Sequence, residues 1–276
     1  MYGRVAAKDV DIKHESLVER MATYYNNIPP LDSHQQGTAE WKEARRLRLT
    51  ASNFGKVYKM RAKTSPKSTV ENMLYPKFTG NAATAHGLRE ESNTEQMFID
   101  YIKGKGASEI SVHHPGLLLL PNEKVLGASP DGVFCCNPGT ANIPASFVVE
   151  YKNPKKLVDA GMTVCEAVDT KVKDFPLSRD ENNEFILKPS HPFYFQIQGV
   201  MAATQLTDAA FVIRGAHDSM AVVWVSFDSE FFYTNVISKL RKFYFQAILP
   251  ELAHPLMSQS GARPYYVEWS YGQLVV

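Results

Sequence analysis

The chain has 276 residues, one large domain or one domain with appendages on a prior of roughly 100–200 residues per domain. Apolar residues make up 44 %, the ordinary share for a globular protein with a sizeable core. Lysine and arginine number 30 against 29 acids, for a net charge of +1, so bulk charge announces no nucleic-acid partner and only a local patch could. Three cysteines, Cys135, Cys136 and Cys165, show no zinc-ligand spacing. A low, odd count suggests free thiols in an intracellular, reducing compartment, whether nucleus, cytoplasm or virus-associated. The first residues lack an apolar signal core, and no run reaches the ~20 apolar residues of a membrane span, so no membrane partner is expected.

In chain order, residues 1–27 read as a short helical appendage and 26–41 as a connector punctuated by Asn, Pro and Gly. A basic helix-like stretch follows over 41–60, and 61–70 is polar and loop-like. A helix is predicted from His86 to about Lys103. Residues 109–120 read as strands around Pro115–Gly116, and 124–135 and 146–152 as two more, with a hairpin loop between them. Residues 155–190 are polar and Pro-punctuated and read as a mobile stretch with one short helix. A helix over 192–204, strands over 208–214 and 220–227, a long helix over 229–247 and an irregular tail complete the chain. The domain reading is an appendage over 1–35, a catalytic domain over 36–252 and a tail over 253–276. This order predicts an α/β fold, a sheet flanked by helices.

The chemistry concentrates on SFVVEYKNP. Alternation along a strand puts Val148, Glu150 and Lys152 on one face and Phe147, Val149 and Tyr151 on the other. Asp131 lies upstream in GASPDGVF, where Pro130-Asp131-Gly132 is turn-prone and sets an acid at a strand end. Two acids, a backbone carbonyl and a lysine suit metal-assisted phosphodiester hydrolysis, and hard oxygen ligands select Mg2+ or Mn2+. A Glu-x-Lys on a strand is by itself usually a solvated face with a cross-strand ion pair, and only the Pro-Asp turn upstream brings the two readings level.

The wider sequence resembles the PD-(D/E)xK nucleases, and within them the lambda-exonuclease, or YqaJ-type viral recombinase, branch. The resemblance rests on five motifs in order over about 41–204: Trp41-x3-Arg45-x6-Ser52, Gly87-x3-Glu91, Ser129-Pro-Asp131-Gly, Glu150-Tyr-Lys152-Asn-Pro and Phe193-Tyr-Phe-Gln196-Ile-Gln198. It implies a restriction-endonuclease-like core with a mixed central β-sheet flanked by helices. It further implies Asp131, Glu150 and the Tyr151 main-chain carbonyl as metal ligands, Lys152 as catalytic lysine and Glu91 as a helix carboxylate reaching the same centre. Arg45, Ser52, Ser129 and Gln196 match a pocket for a DNA phosphate. The implied activity is Mg2+- or Mn2+-dependent digestion of duplex DNA from a free 5′ end, in recombination or repair, by a ring-shaped homotrimer with a single-strand annealing partner. An endonuclease on the same fold and a non-catalytic DNA-end-binding recombination protein are the rival readings.

Other residues bear on this independently. Leu88, Glu91, Glu95, Phe98 and Ile102 share one helix face, so the two carboxylates stand among apolar side chains and need a partner, a metal or an arginine. Between 41 and 68 nine positive residues, Lys42, Arg45, Arg46, Arg48, Lys56, Lys59, Arg61, Lys63 and Lys67, face one acid, Glu43, the local excess expected of a DNA-backbone surface or of a plain solvated helix. Ser129 also reads as an ordinary turn residue, and Gln196 and Gln198 as hydrogen-bonded helix packing. Adjacent His113 and His114 point to opposite strand faces. His191 before Pro192 reads as the residue that starts a helix.

Overall fold

The computed structural model describes residues 7–31, 35–61, 63–76, 82–140 and 142–255, except for the side chains of 7–15, 82–85 and 88. Leu88, expected on the inward helix face, and all but the first residues of the expected tail lie outside the side chains and residues described. The fold is mixed α/β. Its main sheet holds five strands in the order β10-β9-β6-β5-β2: β2 (Ser108–His113), β5 (Gly132–Asn137), β6 (Ser146–Lys152), β9 (Asp208–Arg214) and β10 (Met220–Ser226). Only β6 and β9 run parallel, and every other neighbour is antiparallel. A smaller sheet orders β1 (Leu49–Thr50), β4 (Leu126–Ala128) and β3 (Leu118–Leu119).

Helix α5 (Ala82–Gly104) covers one face of the main sheet and α8 (Pro192–Thr204) the other. Strand alternation does on β6 what the sequence predicts. Phe147, Val149 and Tyr151 pack with Phe98 and Ile102 of α5, while Val148 joins the larger core around Phe195, Ile197 and Val200 of α8. Helix α1 (Ala7–Asn26) sends Leu17 and Met21 into that same larger core, and Arg20 reaches His254 Nδ1 at 3.1 Å.

The expected basic helix over 41–60 is instead α2 (Ala39–Arg46), β1, a 3-10 turn (Ala51–Asn53) and α3 (Phe54–Tyr58). Leu49 and Thr50 leave the helical path to pair in parallel with Leu126 and Gly127. The expected loop over 61–70 turns helical at α4 (Lys67–Leu74), because Val70 and Leu74, one turn apart, are both buried. The stretch 155–190 carries more structure than one short helix: α6 (Lys155–Asp159), α7 (Val164–Asp169) and a hairpin of β7 (Leu177–Arg179) and β8 (Phe185–Leu187). Leu157, Val164, Ala167, Phe175, Leu177 and Leu187 anchor it in the larger core. Thr163 and Glu166 form a reciprocal capping box that starts α7. The last helix continues past 247, through α9 (Ser229–Phe231), a π turn (Phe232–Val236), α10 (Ile237–Phe243), a second π turn (Tyr244–Ile248) and α11 (Leu249–Ala253).

Two glycines fix how α3 meets α8. A Cβ on Gly55 would lie 2.5 Å from Pro192 Cα, and one on Gly199 would lie 2.6 Å from the Phe54 ring. The close crossing lets the 3-10 turn, with Ser52, lie against the helix that carries Gln196.

Candidate active site

The chain crosses from the small sheet to the main sheet at Ser129–Pro130–Asp131, between β4 and β5. Proline has no N–H to donate to a ladder, which suits the point where one sheet is left for another. Gln36 ties the corner down, donating to the carbonyls of Pro130 (2.8 Å) and Pro115 (3.0 Å). Asp131 therefore sits against the end of β6, where its Oδ2 accepts from the Tyr151 N–H at 2.8 Å.

Glu150 is 1 % exposed, on the face of β6 toward α8. Its Oε1 accepts from both Lys152 Nζ and Gln196 Nε2, while its Oε2 is buried without a hydrogen-bond partner among the described residues. Burial and then the Asp131 charge push the Glu150 carboxyl up to about 7, against the pull of Lys152. Asp131 is also raised by burial, although Lys152, the Tyr151 N–H and Arg45 oppose it. Burial works against the Lys152 ammonium, yet Glu150 and Asp131 together hold its pKa above the ordinary lysine value. Lys152 Nζ also lies 4.9 Å from the centre of the Phe193 ring.

Glu91, half-buried on α5, joins the same electrostatic cluster. Burial and then Asp131 raise it to about 7, while Lys152 and His114 pull it down. The α5 backbone is registered against β6 by Asn153, whose Oδ1 accepts from the fully buried Thr94 hydroxyl at 2.7 Å. One turn beyond Glu91, Glu95 faces His114 Nε2 at 3.5 Å, and His114 Nδ1 meets the Asp131 carbonyl oxygen at 2.8 Å.

Arg45 faces Ser129, donating from Nη1 to its Oγ at 2.9 Å, with Trp41 Nε1 donating to the same oxygen at 3.1 Å. Its Nη2 lies 3.5 Å from the hydroxyls of Thr50 and Ser52, and its guanidinium stacks 4.5 Å from the Trp41 ring centre. Burial depresses its pKa, and the charges of Glu150 and Asp131 offset part of that.

The structure thus brings Asp131, Glu150, Lys152 and Glu91 into one charged cluster, and Arg45, Ser52 and Ser129 into an adjoining polar pocket. Gln196 goes with Glu150 rather than with that pocket. Trp41, Thr50 and His114 border the site without being among its expected residues, and Glu95, expected beside Glu91 on the inward helix face, borders it through His114. Trp41 opens the Trp41-x3-Arg45-x6-Ser52 motif, and His114 directly precedes the Pro115–Gly116 turn. Gln198 is a packing amide, donating to the Ser226 carbonyl at 3.0 Å and accepting from the Asp228 N–H at 2.8 Å. His191 caps α8, its Nδ1 accepting from the Phe193 N–H.

Residues 40–206 match the YqaJ-like viral recombinase domain. The chain belongs to that family. This YqaJ-like protein also shares its fold with two crystal structures of LHK-Exo, an alkaline exonuclease from Laribacter hongkongensis, one of them in complex with dAMP. That complex aligns with a TM-score of 0.54 at 20 % identity, over 78 % of this chain and 94 % of the other. The second structure aligns at 0.53 and 20 %, over 80 % and 97 %. No curated protein matches the sequence. No helix among the described residues is long and apolar enough to cross a membrane.

The donor chemistry at the corner of the YqaJ-like protein fits a hard divalent cation. Glu150 keeps one buried oxygen without a hydrogen-bond partner among the described residues, and burial raises the carboxyls of Glu150, Asp131 and Glu91 alike. Among the described residues no group of three or more His, Cys, Asp or Glu side chains is arranged to hold a metal. The set that fits is two carboxylates and a main-chain carbonyl, with water completing the shell as Mg2+ prefers.

The basic run divides by role. Arg48 is 5 % exposed and fully engaged by the carbonyls of Lys124, Ala44 and Pro29, so it braces the fold and takes no part in a surface patch. Arg46 is paired with Glu43 through two 2.7 Å bonds, and Lys59 donates to the Ser190 carbonyl.

Proposed function

We propose that this chain is a Mg2+- or Mn2+-dependent deoxyribonuclease that digests duplex DNA from a 5′ end and releases 5′-phosphorylated products, in recombination or repair. The observation that carries the reading is Glu150: a carboxylate fully buried at the end of a central strand, gripped on one oxygen by Lys152 and Gln196 and left open on the other. A buried charge of this kind is costly in a purely structural role. Membership of a viral recombinase family and the exonuclease named in the structural neighbours agree with it.

Asp131, Glu150 and the Tyr151 carbonyl would hold the metal, with Glu91 supporting from α5. Bound there, a divalent cation supplies positive charge against the phosphoryl oxygens of the transition state. Lys152, kept charged by its acidic neighbours, orients the attacking water and adds positive charge where negative charge develops. Gln196 fixes the Glu150 carboxylate. Arg45, Ser129 and Ser52 hold the phosphate next on the 5′ side, with a guanidinium suited to two-pronged phosphate contact. Water oxygen bonds to phosphorus as the P–O3′ bond breaks, and a water proton ends on O3′ by exchange with solvent. The released nucleotide leaves with that 3′-hydroxyl and its own 5′-phosphate, and the shortened strand keeps the attacked phosphorus as its new 5′-phosphate. The ring trimer and the annealing partner that accompany this activity by resemblance belong to the same proposal.

The test compares duplexes carrying 5′-phosphate, 5′-hydroxyl or blocked ends, with Mg2+ and with EDTA. Metal-dependent release from the 5′ end, fastest with 5′-phosphate, is expected. Binding without any metal-dependent product would instead favour a DNA-end-binding protein. Nicking of a closed circle would favour an endonuclease.

A further inference from the structure

Arg45 has a second side. Together with Trp41 and Thr50 it lines a cleft of about 550 Å3 whose wall includes Lys56 of α3 and Asn72, Met73 and Leu74 of α4 and none of Glu91, Asp131 and Glu150. That volume is in the range of ordinary ligand sites, roughly 300–1,000 Å3. Five cations line the cleft, of which Arg48 is held by main-chain carbonyls and Arg46 by Glu43, the one acid among the lining residues, so its available positive charge comes from Arg45, Lys42 and Lys56. Lys42 and Lys56 are exposed and form no ion pair among the described residues, so their charge faces the cavity. The amides of Asn53 and Asn72 and the Trp41 ring add partners that bases of any sequence can use.

The direction of a bound strand follows from the proposed chemistry. With the scissile phosphate at Asp131 and Glu150 and the next phosphate on the 5′ side at Arg45, any further nucleotides continue past Arg45. The cleft shares Trp41, Arg45 and Thr50 with that phosphate pocket. A pocket that served only a terminal phosphate has no use for a basic cavity behind it.

We propose that this cleft binds the single-stranded 5′ extension of a DNA end, so that the enzyme cuts at the base of the extension and releases short 5′-phosphorylated oligonucleotides as well as mononucleotides. The inference rests on the 5′-end nuclease reading of the adjoining site. The bond changes are those of that hydrolysis: water oxygen joins phosphorus, P–O3′ breaks, and the oligonucleotide keeps the new 3′-hydroxyl.

The test measures fluorescence anisotropy of the full chain carrying Lys152→Ala, with Mg2+, on matched duplexes with a blunt 5′-phosphorylated end or a short 5′ extension. The extension should tighten binding about tenfold, which is about 1.4 kcal/mol. Adding Lys42→Glu and Lys56→Glu should bring the ratio of the two affinities to about one. Reading a ratio cancels any general loss of DNA affinity. The product ladder of the chain with native Lys152 on the same extended DNA keeps the test independent of that variant's folding, and short oligonucleotides are expected. A ratio near one before the lysines are changed, a ratio that survives their change, or mononucleotides alone would overturn the inference. Metal-dependent release from blunt 5′ ends with no effect of an extension would leave the nuclease reading standing and sink only the cleft. A lysine-dependent preference for extended ends with no cleavage of any DNA would do the reverse.

Discussion

Glu91→Gln should stabilise the metal-free protein while impairing its activity. The Glu91 carboxyl rises from an ordinary 4.5 to about 7, first through burial and then through Asp131. At about 1.4 kcal/mol per pH unit, a fully buried group with that rise would cost about 3 kcal/mol once ionised. Glu91 is half-buried, and solvent screening reduces the figure to about 1–2 kcal/mol. Below about pH 4.5 the carboxyl is protonated both folded and unfolded, and the cost is absent. As the pH rises toward 7 the unfolded chain releases the proton while the fold retains it, so stability falls. Above about 7 the full cost persists. The variant escapes it, so its advantage should grow over that window and then level off. For a domain of this size the gain at pH 8 in EDTA corresponds to roughly 2–8 °C in Tm. Thermal unfolding of both proteins from pH 4 to 8 measures it, and Mg2+ at pH 8 should narrow the gap by stabilising the native protein more. A variant less stable at pH 8, or a difference that ignores pH, would refute the electrostatic account of this cluster.

Lys152→Ala should cut the rate of metal-dependent cleavage by at least ~100-fold while duplex binding persists. Glu150 is fully buried and Lys152 partly exposed, so removing the lysine costs at most about 3–5 kcal/mol, and the fold should be checked by circular dichroism with Mg2+ present. Arg45→Ala should abolish the rate preference for 5′-phosphate over 5′-hydroxyl ends, a loss of about 10–100-fold for a charge-assisted contact of about 1.5–3 kcal/mol. Gly55→Ala should lower the urea midpoint by the equivalent of about 1–3 kcal/mol, because its Cβ meets Pro192 main chain that cannot rotate away.

What the sequence made legible was periodic. The two-residue period of β6 separates Glu150 and Lys152 from Phe147, Val149 and Tyr151, and the helical period of α5 puts Glu91 on the face of Phe98 and Ile102. Those repeats are local, so they survive into the fold. The Pro130–Asp131 turn was readable as a turn, but not as the crossing between two sheets, since partner strands contribute nothing to local sequence. Arg48 read as surface charge because a run of basic residues conceals which one turns inward to backbone carbonyls far along the chain. Residues 155–190 read as mobile because each of their elements is too short to show a period and is held by single apolar anchors such as Leu157 and Phe175. The motif points Gln196 toward phosphate, and the approach of α8 to β6, which local sequence does not show, brings its amide to Glu150. His114 and Glu95 meet only because a strand turn and a helix face come together in space.

The central claim is tested most directly on a duplex labelled separately at its 5′ and 3′ ends, incubated with the native chain and with Glu150→Gln, in Mg2+ and in EDTA. The account predicts early release of the 5′ label as 5′-phosphorylated product, only with the native chain and only with Mg2+. Cleavage that persists in EDTA or in Glu150→Gln, or no metal-dependent hydrolysis by a folded native chain, would contradict it.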